Sequence, residues 1–221
     1  MEPTRHPRVK ICCIQNSAEA RLAIRHGAAA LGLVSAMPSG PGVISEEQIA
    51  AIASHTPPGV ATFLLTSKQE ATAVIAQQRR CGTNTIQLVD ALQAGTYADL
   101  RRALPGIKLV QVIHVTGEQA IDAALQVAPH VDAILLDSGN PHLAVKELGG
   151  TGRTHNWRIS RMIRAMIDVP LYLAGGLHAG NVQQAIAEVG PFGLDLCSGV
   201  RTNGTLDERK LEKFFEKVRT S

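Results

Sequence analysis

Residues 108–127 read KLVQVIHVTGEQAIDAALQV. The first eight are a β-branched, apolar run, and a stretch of helix formers follows from residue 118. The same two textures alternate along the whole chain. Upstream lie runs at 9–14, 30–34, 60–65 and 85–89, followed by helical stretches at 18–26, 46–54, 69–80 and 97–104. Downstream lie runs at 131–136, 170–173 and 193–197, followed by 157–167, 181–189 and 207–219. Strands spaced by helices imply parallel pairing through right-handed crossovers. Eight such units close naturally into an α/β (β/α)8 TIM barrel, and the expectation is one barrel domain over residues 1–221. A doubly wound open sheet is the alternative. It calls for a glycine fingerprint after the first strand, where the chain instead reads Ile14-Gln15-Asn16-Ser17.

Helix punctuation agrees with these units. Ser45 stands three residues before Gln48, the spacing of a capping box, and Gly27 follows the first helix where a left-handed cap belongs. Pro105-Gly106 ends the fourth helix and Pro129 the fifth.

Composition narrows the function classes. The chain has 221 residues, 45% hydrophobic, 19% charged and only 3% aromatic. The core is therefore aliphatic, and base-stacking nucleic-acid binding is disfavoured. A net charge of +3 is too small to argue for nucleic acid, although it suits an anionic ligand. No apolar run approaches the roughly 18 residues of a membrane span, and residues 1–9 lack a signal-peptide core, so the cytoplasm is the expected location. The four cysteines, Cys12, Cys13, Cys81 and Cys197, show no metal-ligand spacing; neither a metal nor a cofactor is expected. If Cys12 and Cys13 lie on a strand, their side chains point to opposite faces.

In this fold the active site forms at the C-terminal ends of the strands. The polar residues there are Cys12 or Cys13, Gln87, His114, Asp137 with Ser138, and Asp195 with Ser198. A carboxyl such as Asp137 at a dry barrel mouth can have a raised pKa, which suits a general acid; the plainer reading is a carboxylate capping a backbone amide. Cys12 among apolar neighbours, taken on its own, reads more often as a small core residue. Glycine turns follow strands seven and eight, at Gly175-Gly176 and at Ser198-Gly199, the usual phosphate site of the fold. The loop at 149–154 is rich in glycine and carries Arg153, a fork for a carboxylate or phosphate.

Five stretches in order resemble the phosphoribosylanthranilate isomerase family, over nearly the whole chain. They are Lys10-Ile11-Cys12; 133–138, ending Leu-Asp-Ser; 149–157, with Arg153, His155 and Asn156 substituted; 173–181, containing Ala-Gly-Gly-Leu; and 193–200, ending Ser-Gly-Val. The resemblance implies a cofactor-independent Amadori rearrangement of N-(5-phosphoribosyl)anthranilate in tryptophan biosynthesis. It implies Asp137 as general acid, Cys12 as general base, and phosphate held by Gly175, Gly176, Ser198 and Gly199. Gln87, His114, Arg153 and Asp195 are the expected substrate contacts. The expected partner is a phosphorylated small molecule, with no nucleic acid and no membrane, and the protein a monomer or homodimer. Two segments depart from the family. Gly42 stands where an arginine normally holds the anthranilate carboxylate, and 87–90 reads Gln-Leu-Val-Asp rather than Gln-Leu-His-Gly. Losing that guanidinium removes a contact of about 1.5–3 kcal/mol. Arg153, His114 and His155 are the candidates to replace it. An isomerase of the same chemistry with another phosphorylated aldose or aminoaldose, and a non-catalytic phosphate-binding barrel, stay open as alternatives.

Overall fold

Eight parallel strands close on themselves in chain order in a computed structural model that describes residues 6–140, 143, 146–149 and 152–221. They are β1 Arg8–Ile11, β2 Ala30–Val34, β3 Ala61–Thr66, β4 Thr85–Leu88, β5 Lys108–His114, β6 Ala133–Asp137, β7 Leu171–Leu173 and β8 Gly193–Leu196. Each is followed by a helix: α1 Ser17–His26, α2 Glu46–Ser54, α3 Ala71–Cys81, α4 Tyr97–Ala103, α5 Gln119–Val127, α6 Trp157–Met166, α7 Val182–Val189 and α8 Glu208–Arg219. β1 pairs with both β2 and β8, with Ile11 opposite Leu31 and Leu196, so the sheet has no edge. The open-sheet alternative is thereby excluded.

Strand alternation divides the core in two. Leu31, Leu33, Ile86, Leu109, Ile134 and Leu136 point outward under the helices. Ala30, Val34, Leu65, Val110, Val112 and Leu135 point inward and fill the barrel. Small aliphatic side chains suit both positions, since inner layers taper and helices must approach the strands closely.

The helix ends follow the residues expected of them. Ser45 and Gln48 form a reciprocal capping box, and Gly27 ends α1 in the left-handed region. The differences are local. β1 stops at Ile11 rather than residue 14, because Cys13 turns into the left-handed region at φ 61°. A two-stranded hairpin, β9 Arg201–Thr202 and β10 Thr205–Leu206, precedes α8 and was not expected from the sequence. Among the described residues no helix is long and apolar enough to cross a membrane.

Candidate active site at the barrel mouth

The C-terminal ends of the strands surround a cleft of about 670 Å3. Cys12 enters it from the end of β1, Gln87 from β4, Asp137 from β6 and Asp195 from β8. Gly175, Gly176 and Ser198 lie on the same wall. Seven of the expected residues thus share one space. The other three do not line it. Gly199 packs on the Leu177 carbonyl, so closely that an added Cβ would lie 2.0 Å from that oxygen. His114 donates from Nε2 to the Val89 carbonyl at 3.0 Å; a carbonyl only accepts, which fixes the proton on Nε2. Arg153 forms an ion pair with Glu147 in the loop after β6.

Asp137 is 9% exposed. Burial pushes its carboxyl above the usual carboxylate range, against the opposing pull of the Ser138 amide and of His114. Its Oδ1 accepts the Ser138 amide at 2.7 Å, so the amide-capping role read from sequence is also present. Oδ2 lies against Gly149, where an added Cβ would approach it to 2.6 Å. Gln87 is buried at the cleft wall, and its Oε1 meets no hydrogen-bond donor.

Beneath the cleft, Lys10 is completely buried, with Nζ 2.9 Å from Asp195 Oδ1 and 5.2 Å from the Phe63 ring centre. The pair is close enough for attraction but misaligned for a hydrogen bond. Burial pulls the Lys10 ammonium down, yet Asp195 and the neighbouring thiols outweigh it, and the net shift is upward. Lys10 therefore stays charged beneath the Asp195 carboxylate at the cleft floor. Lys10→Met leaves that carboxylate buried without its partner; a loss of about 3–5 kcal/mol is expected in urea unfolding. An unchanged midpoint would mean that the pair contributes nothing.

The Gly175-Gly176 turn is pinned from both sides. Asn181 Nδ2 donates to the Gly176 carbonyl at 2.9 Å, while Asn181 Oδ1 accepts from the His178 amide. Gly176 has φ 61°, and a Cβ there would lie 2.7 Å from the Arg153 carbonyl carbon. So this glycine also admits the loop after β6. Gly150 and Thr151 of that loop fall outside the described residues.

Cys13 corrects one expectation. It does not point away from Cys12: at φ 61° strand alternation is broken, and its thiol comes within hydrogen-bond reach of both Cys12 and Cys197. All three line the cleft. Cys13 also explains Gly42. Gly42 has φ 79°, and a Cβ there would lie 2.5 Å from the Cys13 Cβ. The Cys13 side chain thus occupies the space that a longer residue 42 would need. Gly42→Ala is expected to cost about 1–3 kcal/mol from overpacking plus the left-handed backbone. With Cys13→Gly beside it the side-chain part of the clash should go, leaving the left-handed backbone and the 2.9 Å approach to the residue 13 Cα. A double-mutant cycle by thermal melting checks this; strict additivity would refute the contact.

None of the three cations expected to stand in for an arginine at 42 is among the residues lining the cleft. Arg153 is paired with Glu147, and His114 is tied to Val89. His155 faces Ser160 at 2.7 Å, and burial holds it down at about 4, so it is neutral near pH 7. Among the described residues lining the cleft none is Lys or Arg.

One buried clasp joins the turns that carry the cysteines. Arg201 Nη1 and Nη2 bind Glu19 Oε1 and Oε2 at 2.8 and 2.9 Å, and Nη2 also donates to the Cys13 carbonyl. Burial pushes the Glu19 carboxyl up, but the guanidinium and the Leu206 and Gln15 amides more than reverse it, and the net shift is downward. The sequence reading missed this clasp. Its members are 182 positions apart, and nothing local announces them.

Residues 9–217 match the family model described as N-(5'-phosphoribosyl)anthranilate isomerase. The chain is 33% identical to N-(5'-phosphoribosyl)anthranilate isomerase 2 of Methanosarcina mazei, over 96% of this chain and 94% of that one. It superposes on the Thermotoga maritima phosphoribosyl anthranilate isomerase crystal structure with a TM-score of 0.80 at 28% identity, covering 97% and 100% of the two chains. A phosphoribosyl anthranilate isomerase crystallised with reduced 1-(o-carboxyphenylamino)-1-deoxyribulose 5-phosphate gives a TM-score of 0.77 at 26% identity, with the same coverage.

Proposed function

The chain belongs to the N-(5'-phosphoribosyl)anthranilate isomerase family, and on that premise we propose the reaction and the part each residue plays in it. The protein is an aldose–ketose isomerase that converts N-(5'-phosphoribosyl)anthranilate into the 1-deoxyribulose 5-phosphate aminoketose of tryptophan biosynthesis. The supporting observation is that Cys12, Asp137, Gln87 and Asp195 converge on one cleft, with the Gly175-Gly176 turn and Ser198 on its wall.

Asp137, protonated, gives its proton to the furanose ring oxygen as the C1–O bond breaks, leaving an open-chain Schiff base. Cys12 removes the proton from C2, and the electrons move toward the iminium nitrogen to give an enolamine. Tautomerisation then yields the ketone. One carbon is oxidised as its neighbour is reduced, so the rearrangement needs no external electron acceptor. Backbone amides around Gly175, Gly176 and Ser198 receive the phosphate, and the N-terminus of α7 adds a favourable dipole. Gln87 Oε1 accepts a sugar hydroxyl, and Asp195 faces the substrate nitrogen.

Freshly prepared phosphoribosylanthranilate is fluorescent, and its consumption by the purified protein tests the reading. Rapid consumption is expected. A folded protein that binds phosphate ligands but leaves the substrate unchanged would overturn it.

A second reading has its own observation: no Lys or Arg among the described residues of the cleft wall, and the Gly42–Cys13 contact. On this reading the same chemistry extends to a phosphorylated aminoaldose without an aromatic carboxylate. The aniline analogue, turned over as fast as the anthranilate, would favour it.

A further inference from the structure

Cys12, Cys13 and Cys197 form a thiol cluster that the isomerisation does not require, since it uses one base. Two strands bring them together. β1 and β8 run in parallel register with Ile11 opposite Leu196, and the Cys12 amide donates to the Leu196 carbonyl at 2.9 Å. Cys12 and Cys197, the residues that follow these paired ends, are therefore brought to neighbouring positions at the cleft. Cys13, turned back at φ 61°, sets its thiol within reach of both. Gly42 covers it, since a Cβ there would lie 3.2 Å from the Cys13 sulfur. Cys197 is the most exposed of the three, and the cleft gives a reagent access to it.

We propose that Cys13 and Cys197 are a redox modification site that takes a low-molecular-weight disulfide and closes into an intramolecular disulfide beside the catalytic Cys12. Cys197 makes the first attack. The hydrogen bond from Cys13 and the charge of Arg201 hold its thiol below the ordinary range although burial opposes them. Its thiolate displaces one thiolate from the small disulfide and forms a mixed disulfide. Cys13 then releases its proton and attacks the Cys197 sulfur, expelling the second small thiolate. Two protein thiols are oxidised, and one small disulfide is reduced to two thiols. Cys13 is held far above the thiol range by its hydrogen bonds to Cys12 and Cys197 and by burial. Once Cys197 is a neutral mixed disulfide, its share of that resistance disappears, so the second step follows the first. The fourth cysteine, Cys81, is an internal control: it is the fully buried last residue of α3, and burial pushes its thiol up to about 11.

The bond itself is independent of the isomerase reading; only its effect on turnover rests on that reading. The full chain is incubated with oxidised glutathione, and its intact mass and non-reduced peptide map are read. Wild type and Cys12→Ser should each lose two hydrogens and yield one linked peptide joining residues 13 and 197. Cys13→Ser and Cys13→Gly should each stop at a single glutathione adduct on Cys197, and Cys197→Ser should form no link. Turnover of the wild type should be lost in step with the bond and return with dithiothreitol. Linkage in Cys13→Gly would assign the bond to Cys12 and overturn the proposal, as would a wild type that stays reduced. A linked protein in which neither redox form acts on phosphoribosylanthranilate would sink the isomerase reading and leave this site standing.

Discussion

Asp137→Asn should slow phosphoribosylanthranilate turnover by roughly 100- to 10,000-fold, the usual range for a positioned general acid. The substitution is nearly isosteric, and the asparagine oxygen can still accept the Ser138 amide that Oδ1 accepts now. What it loses is a proton that can be donated. Burial raises the Asp137 carboxyl, so a larger fraction stays protonated than for an ordinary aspartate, and the wild-type rate should fall as pH rises through that raised value. The variant should lack this alkaline limb.

Stability should move the other way. A carboxyl whose folded pKa is raised contributes stability that is fully present below its unfolded value and is lost as pH rises through the folded one. At neutral pH the unfolded carboxyl is ionised, so folding must either bury that charge or take up a proton, and asparagine bears neither cost. Asp137→Asn should therefore melt higher than wild type at pH 7 and much like it near pH 3. Matched rates and melting curves at the two pH values check both effects. Near-normal turnover would remove Asp137 from the chemistry.

Cys12→Ser should lower turnover more than ~100-fold, because a hydroxyl is a far weaker base than a thiolate. The side chains are close in size, and Cys12 sits in a packed inner layer, so folding should be little affected. The informative readout is substrate deuterated at C2 of the sugar. Wild type should exchange that deuterium with solvent or transfer it, whereas Cys12→Ser should retain it. Cys13→Ala is the companion variant, since the two thiols touch. Normal C2 exchange in Cys12→Ser, together with its loss in Cys13→Ala, would make Cys13 the base.

Much of the molecule was legible from local pattern. The alternation of strand and helix runs depends on side-chain periodicity within a few residues, and closure into a barrel then follows from parallel crossovers. Asp137 was visible because an apolar strand ending in a carboxylate puts that carboxylate at the barrel mouth. Asn181 was visible only as a motif member; its work of fixing the Gly176 carbonyl emerges from the folded turn.

Local pattern along the chain thus sets the eight-unit architecture, the helix caps, and which strand ends carry Cys12, Gln87, Asp137 and Asp195. Each of these rests on interactions between near neighbours. Folding alone makes Lys10 pair with Asp195 beneath the cleft, Arg201 clasp Glu19, and Cys13 abandon strand geometry to meet Cys197 and exclude a side chain at Gly42. The first three contacts cross the seam between the first and last strands, and the fourth joins the turns after the first two. Closing the barrel creates that seam, and no periodicity within either segment encodes what meets there.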